Sequence, residues 1–166
     1  SNKKIGIIGY GKIGKNLHKL LKIFNFKIYI FEKKKINNIK IKKLSLKKIF
    51  KTCDIICLSL NLNDGTKNII NTKILNSANK EIIIINASRG LIINENHLYN
   101  FLKKNKKANA FLDCFVKEPY KGKLLKLKNV YPVPHIASFT KETRREMEIS
   151  ASKNLINSLE KIEQKK

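Results

Sequence analysis

The segment Lys4-Ile5-Gly6-Ile7-Ile8-Gly9-Tyr10-Gly11-Lys12-Ile13-Gly14 constrains the fold more than any other part of the chain. A short apolar run breaks into glycines spaced G-x-G-x-x-G and then turns amphipathic, the pattern of a strand, a tight turn and a helix. In such a unit Gly9 permits the turn, Gly11 lets a pyrophosphate approach the backbone, and Gly14 lets the helix pack on the strand. An anion then faces the unpaired N–H groups of the helix start. Lys15 to Phe24 continues with Leu17, Leu20, Leu21 and Phe24 at helical spacing, with lysines opposite them and His18 read as a surface residue.

The next apolar run, Lys27 to Phe31, ends on Glu32, eighteen residues past Gly14. An acid there accepts hydrogen bonds from both hydroxyls of an adenosine ribose and repels a 2'-phosphate, which favours NAD over NADP. Lys33, Lys34 and Lys35 follow at once, and a cation in that place can accommodate a 2'-phosphate, so both readings stay open here.

Further elements alternate. Asn37 to Leu44 reads as loop or irregular strand, and Ser45 as the cap of a helix through Thr52. Asp54 to Leu60 is a strand buried on both faces, with Asn61 to Thr66 at its carboxyl end, where open α/β sheets bind ligands. Thr72 is expected to cap a short helix. Glu81 to Ile85 is a strand running into Asn86-Ala87-Ser88-Arg89-Gly90, and Asn94 begins a helix with Leu98, Phe101 and Leu102 inward. Ala108 to Phe111 and Val130 to Val133 are strands separated by an irregular stretch. Thr140 to Lys161 is a long helix with Met147, Ala151, Leu155, Ile156, Leu159 and Ile162 on one face. The expected architecture is α/β, a doubly wound parallel sheet of the Rossmann type ordered 3-2-1-4-5-6, in a single nucleotide-binding domain without a substrate domain.

The net charge of +24 raises the question of nucleic acid. All but three of the 36 basic residues are lysines, the exceptions being Arg89, Arg144 and Arg145. They are dispersed and not interleaved with aromatics, and AT-rich codon usage explains lysine, asparagine and isoleucine together, so no specific nucleic-acid partner is expected. No apolar run is long enough to span a membrane. Cys53, Cys57 and Cys114 show neither disulfide nor metal spacing, which implies no metal and a cytoplasmic setting.

From Asn86-Ala87-Ser88-Arg89-Gly90 onward the chain resembles the D-isomer-specific 2-hydroxyacid dehydrogenases. Leu112-Asp113-Cys114-Phe115-Val116-Lys117-Glu118-Pro119 is similar to that family's L-D-V-F-x-x-E-P, and Pro134-His135-Ile136-Ala137-Ser138-Phe139-Thr140 to its P-H-I-x-S-x-T. The stretches Glu118 to Val130 and Lys141 to Glu148 look most like phosphoglycerate-dehydrogenase-related members.

The resemblance implies hydride transfer between NAD and a D-2-hydroxy acid or 2-oxo acid, with 3-phosphoglycerate as one candidate. It makes His135 the acid/base, Glu118 its partner and Arg89 the anchor for the substrate carboxylate. It further implies cofactor contacts from Gly9, Gly11, Lys12, Ile13, Gly14, Glu32, Leu60, Asn61, Thr66, Ala87, Ser88, Arg89, Asp113, His135, Ala137 and Ser138. Ser59 and Asn61 stand where the family commonly has histidine and proline. Residues 1–166 are expected to be the NAD-binding domain of a longer two-domain chain, binding cofactor with little or no turnover alone, and a homodimer is expected. The alternative is a non-catalytic dinucleotide-binding or dimerisation module.

Overall fold

A computed structural model describes residues 2–34, 36 and 41–164. Lys35 and residues 37–40, the first half of the 37–44 stretch, lie outside the described residues. The chain divides into two units, Ser1–Pro134 and His135–Lys166.

The first unit holds strands β1 (Lys4–Ile8), β2 (Lys27–Phe31), β3 (Ile55–Leu58), β4 (Ile83–Asn86), β5 (Asn109–Leu112) and β6 (Val130–Pro132). Helices α1 (Lys12–Ile23), α2 (Leu46–Thr52), α3 (Thr72–Asn76) and α4 (Glu95–Lys104) lie between them. All pairings are parallel, in the order β2-β1-β3-β4-β5-β6. The expected order 3-2-1-4-5-6 is therefore corrected: β3 lies beside β1, and among the described residues β2 takes a bridge from Ile30 to Lys43. Next to β1, the continuous apolar run of β3 is flanked by a strand on each side and covered as a parallel sheet requires, which an edge position would not give it.

The core is aliphatic because a parallel sheet is covered on both faces. Ile8, Ile56, Ile82 and Ile84 are fully buried in one cluster with Ile49, Phe50, Leu98 and Leu102 from α2 and α4, and Ile7 is fully buried as well. Helix starts follow their caps. Ser45 Oγ accepts the Lys48 N–H, and Asn94 Oδ1 accepts the His97 N–H. At α3 the cap is Asn71 rather than the expected Thr72, since Asn71 Oδ1 accepts from both Lys73 and Ile74 N–H. The Thr72 N–H instead donates to His97 Nδ1 at 3.2 Å, which ties α3 to α4. On α1, Leu17 and Leu21 are half-buried while Leu20 and Phe24 are exposed, so the inward face is narrower than the sequence period implies. Burial pushes the thiols of Cys53, Cys57 and Cys114 up to about 12, 11 and 11, so these are packed, protonated side chains.

The second unit is helix α5 (Lys141–Glu163), with Thr140 Oγ1 accepting the Thr143 N–H at 3.1 Å. It carries no buried side chain, and its apolar residues Met147, Leu155, Ile156, Leu159 and Ile162 are exposed. No described helix is long and apolar enough to cross a membrane.

Buried Asn129 joins the two ends of the β5 crossover: its Nδ2 donates to the carbonyls of Ala108 (2.7 Å), Leu102 (3.2 Å) and Asn105 (3.3 Å). Asn129→Leu leaves those carbonyls without their donor and is expected to cost about 1–3 kcal/mol. Urea unfolding of the variant measures this, and a change within experimental error would mean that the carbonyls find other donors.

Candidate functional site

The carboxyl ends of β1, β2 and β3 open into a cleft of about 620 Å³. It is lined by Gly9, Tyr10, Gly11 and Lys15 from the first turn and helix, by Phe31, Glu32, Lys33, Lys34 and Ile36 after β2, and by Ser59, Leu60, Asn61, Asn63 and Thr66 after β3. That volume suits a small-molecule site.

The three glycines of the turn are required for different reasons. Gly9 takes φ +96°, a backbone state that disfavours any side chain. A Cβ on Gly14 would run into the Gly9 carbonyl oxygen and lie 2.9 Å from Ser59 Oγ, so glycine there permits the helix to touch the strand. Gly11 differs, since it has an ordinary φ of −74° and a Cβ there would meet no protein atom within 4 Å. Its bareness serves no packing need of the chain and leaves open space over the start of α1. That helix start has no side-chain cap bond and no acidic residue in its first turn, so its N–H groups and dipole face the opening. A pyrophosphate fits these features, and the residues that could hold one are Gly11, Lys12, Ile13 and Lys15. Lys12 and Ile13 are exposed, while Gly14 is buried.

Glu32 leaves β2 with each carboxylate oxygen engaged: Oε2 accepts the Tyr10 N–H at 2.9 Å and Oε1 the Lys34 N–H at 3.0 Å. Burial acts to raise its pKa. The backbone N–H bonds of Lys34, Tyr10 and Lys33, with the Lys34 charge, outweigh that and hold the carboxyl below its ordinary value. An ionised acceptor therefore stands at the cleft's far end, suited to ribose hydroxyls.

Several participants escaped the sequence reading. Ser59 Oγ donates to the Gly9 carbonyl at 2.7 Å, joining the end of β3 to the glycine turn. The Tyr10 hydroxyl and His18 Nδ1 share a 2.6 Å hydrogen bond, so His18 is half-buried and partnered rather than a plain surface residue. Burial and the Lys22 charge keep its pKa below the usual imidazole value. Lys33 Nζ donates to the Gly65 carbonyl at 3.0 Å, linking the β2 and β3 loops. Thr66 was expected to contact cofactor. It lines the cleft, and its buried hydroxyl donates to the Asn61 carbonyl (2.7 Å) and accepts the Asn63 N–H (2.8 Å), shaping the loop that carries Asn61.

A second cluster forms beyond β4 and β5. Asn86 is buried, and its Oδ1 accepts Ser88 Oγ–H (2.7 Å) and Ser88 N–H (3.1 Å), while its Nδ2 donates to the Arg89 carbonyl. This side chain folds the turn that presents exposed Ala87 and Arg89. A Cβ on Gly90 would collide with the Phe115 backbone, so the Arg89 turn lies directly against the 115–118 loop. There Glu118 Oε1 accepts the Phe115 N–H at 2.9 Å and Glu95 Oε1 accepts the Val116 N–H at 2.8 Å. Asp113 is buried, and its N–H donates to the Asn86 carbonyl. The first unit thus brings Arg89, Asp113 and Glu118 to one end of the sheet. His135 begins the second unit in the left-handed region, φ 55°, with Ala137 and Ser138 following it. Among the described residues no cluster suited to a metal ion occurs.

Residues 1–137 match the family described as D-isomer specific 2-hydroxyacid dehydrogenase, NAD binding domain. A glyoxylate reductase of Thermococcus litoralis is 37% identical over 159 residues, which are 93% of this chain and 48% of that protein. An erythronate-4-phosphate dehydrogenase of Wigglesworthia glossinidia brevipalpis is 39% identical over 164 residues, 93% of this chain and 42% of that one. Among solved structures, an acyclic imino acid reductase in complex with NADPH and D-arginine superposes with a TM-score of 0.89 at 30% identity, covering 96% of this chain and 52% of that one. The chain spans about half the length of these relatives.

Two substitutions separate the roles of the glycines. Gly14→Ala is expected to lower the thermal midpoint, costing about 1–3 kcal/mol through overlap with backbone. Gly11→Ala is expected to change stability by less than about 1 kcal/mol and to abolish dinucleotide binding. Equal effects of both on stability would refute the assignment. The Glu32 carboxylate has a lowered folded-state pKa, so its stabilisation is complete above the ordinary carboxyl value of 4.5 and lost as pH falls through the lower folded-state value. The difference in thermal midpoint between wild type and Glu32→Ala is expected to shrink over that acid range and to stay constant towards neutrality.

Proposed function

We infer the function from the family to which this chain belongs, the D-isomer specific 2-hydroxyacid dehydrogenases, within which it is the NAD-binding, Rossmann-type domain. We propose that it serves an enzyme reducing a small 2-oxo acid to the D-2-hydroxy acid, or the reverse. The observation that carries the reading is the cleft itself: bare Gly11 over an uncapped helix start, facing an ionised Glu32 held by two backbone N–H groups.

In this proposal Gly9 to Gly14, Leu60, Asn61, Thr66, Ala87, Ser88, Asp113, Ala137 and Ser138 surround the dinucleotide, and Glu32 takes its adenosine ribose hydroxyls. Bound NAD supplies or accepts the hydride. Arg89 presents a planar guanidinium that matches a substrate carboxylate bidentately, and its positive charge stabilises negative charge growing on the neighbouring carbonyl oxygen. His135 donates a proton to that oxygen during reduction and withdraws it during oxidation. Glu118, anchored through Oε1 to the Phe115 N–H, favours the protonated imidazole by its negative charge.

Glyoxylate and hydroxypyruvate are the substrate types suggested by the relatives' names, and 3-phosphoglycerate is a further candidate from the resemblance of residues 118–130 and 141–148 to phosphoglycerate-dehydrogenase-related members. A homodimer and a cytoplasmic setting complete the proposal, the latter supported by three packed cysteine thiols.

Titration of NADH into the 166-residue chain, followed by nicotinamide fluorescence, tests the reading. Saturable binding is expected, weakened about tenfold or more in Glu32→Ala by loss of charge-assisted hydrogen bonds to the ribose. Little or no turnover of 2-oxo acid is expected from this chain alone. Absence of NADH binding, or binding indifferent to Glu32→Ala, would refute it.

A further inference from the structure

Tyr10 stands between the first two glycines of the turn and is held at both ends. Its N–H donates to Glu32 Oε2 at 2.9 Å, which fixes the backbone from which the side chain swings. Its hydroxyl shares a 2.6 Å hydrogen bond with His18 Nδ1, eight residues further along on α1, and the two rings are tilted by 54° with centroids 5.6 Å apart. The bond draws the phenol towards the helix.

A tyrosine side chain has three staggered settings about its first bond. Residues 9 and 11 are both glycine, so no adjoining side chain bars the Tyr10 ring from any of them. Tyr10 lines the cleft together with Gly9, Gly11 and Lys15, and the space over Gly11 is open, since a Cβ there has no atom within 4 Å outside the adjoining residues. A phenol released from His18 therefore has room to turn over Gly11, in front of the uncapped start of α1. A pyrophosphate at that helix start and an aromatic ring cannot share the space. His18 itself is not among the residues that line the cleft, so its route to a ligand runs through Tyr10.

We propose that His18 is a positioning residue for cofactor binding: by holding the Tyr10 hydroxyl against α1, it keeps the phenol out of the opening over Gly11. The inference rests on the dinucleotide reading above. In the free chain the bond selects the ring setting that leaves the helix start accessible, so the opening is clear before a ligand arrives. Without the bond that setting is one of several, and the apparent affinity falls in proportion to the fraction of molecules that hold it.

The experiment titrates NADH into the 166-residue chain, into His18→Ala, Tyr10→Phe and Tyr10→Ala, and into the double variant Tyr10→Ala/His18→Ala, with nicotinamide fluorescence as the readout and thermal unfolding to confirm that each variant folds. His18→Ala and Tyr10→Phe remove the bond and keep the ring, and each is expected to weaken NADH by about threefold or more, as the competent setting becomes one of three. The double variant has no ring to obstruct the opening and is expected to bind NADH more tightly than His18→Ala alone, recovering most of that loss. Tyr10→Phe leaves His18 in place and carries the same comparison independently: it is expected to bind more weakly than Tyr10→Ala, although it is nearer to wild type in shape. A His18→Ala variant that binds NADH as wild type does, or a double variant no tighter than His18→Ala, overturns this inference and leaves the dinucleotide reading intact. Absence of NADH binding by the wild type overturns the dinucleotide reading and this inference with it.

Discussion

The approach of α1 to the end of β1 is the contact on which the rest depends. Gly14 sits against the Gly9 carbonyl, and Ser59 Oγ donates to the same carbonyl from the end of β3. One backbone oxygen therefore fixes the first helix, the first strand and the third strand together. That junction aims the start of α1 at the opening between the strands, and it explains why two of the three glycines answer to packing and geometry. Gly11 alone of the three has open space where a Cβ would lie.

Electrostatics at this junction run against the composition. A chain of net charge +24 has lysines in every direction, yet the cleft depends on one carboxylate, held ionised by backbone donors. The Tyr10 N–H that binds Glu32 belongs to the glycine turn itself, so that turn and the end of β2 are mechanically one piece. The Tyr10 side chain extends that piece to α1 through His18. Lys15, Lys33 and Lys34 line the cleft around that fixed anion.

The far end of the sheet repeats the same economy of parts. Asn86 has its amide occupied in both directions, folding the turn that carries Arg89, and Gly90 lets that turn press on the Phe115 backbone. Glu95 and Glu118 then cap adjacent N–H groups of the 115–116 segment. Backbone contacts thus help to bring a guanidinium and a carboxylate to one end of the sheet.

Much of this was legible in the sequence because it is local. The glycine spacing, the strand ending on Glu32, the Ser45 and Asn94 caps and the inward Leu98, Phe101 and Leu102 follow from dihedral preference, hydrogen-bonding capacity and helical period, which a short window of residues determines. Where those signals compete nearby, as with Asn71 and Thr72, the stronger acceptor took the cap. What the sequence by itself determined was the alternating strand and helix pattern, the dinucleotide turn and the acid after the second strand. Only the tertiary structure decided that β3 lies beside β1, that Ser59 reaches Gly9 across 50 residues, that Lys33 reaches Gly65 across 32, that His18 holds Tyr10 and that Gly90 meets Phe115. Those pairings join residues whose separation along the chain carries no periodic signal, and they exist only once the parallel sheet has brought the ends of its strands together.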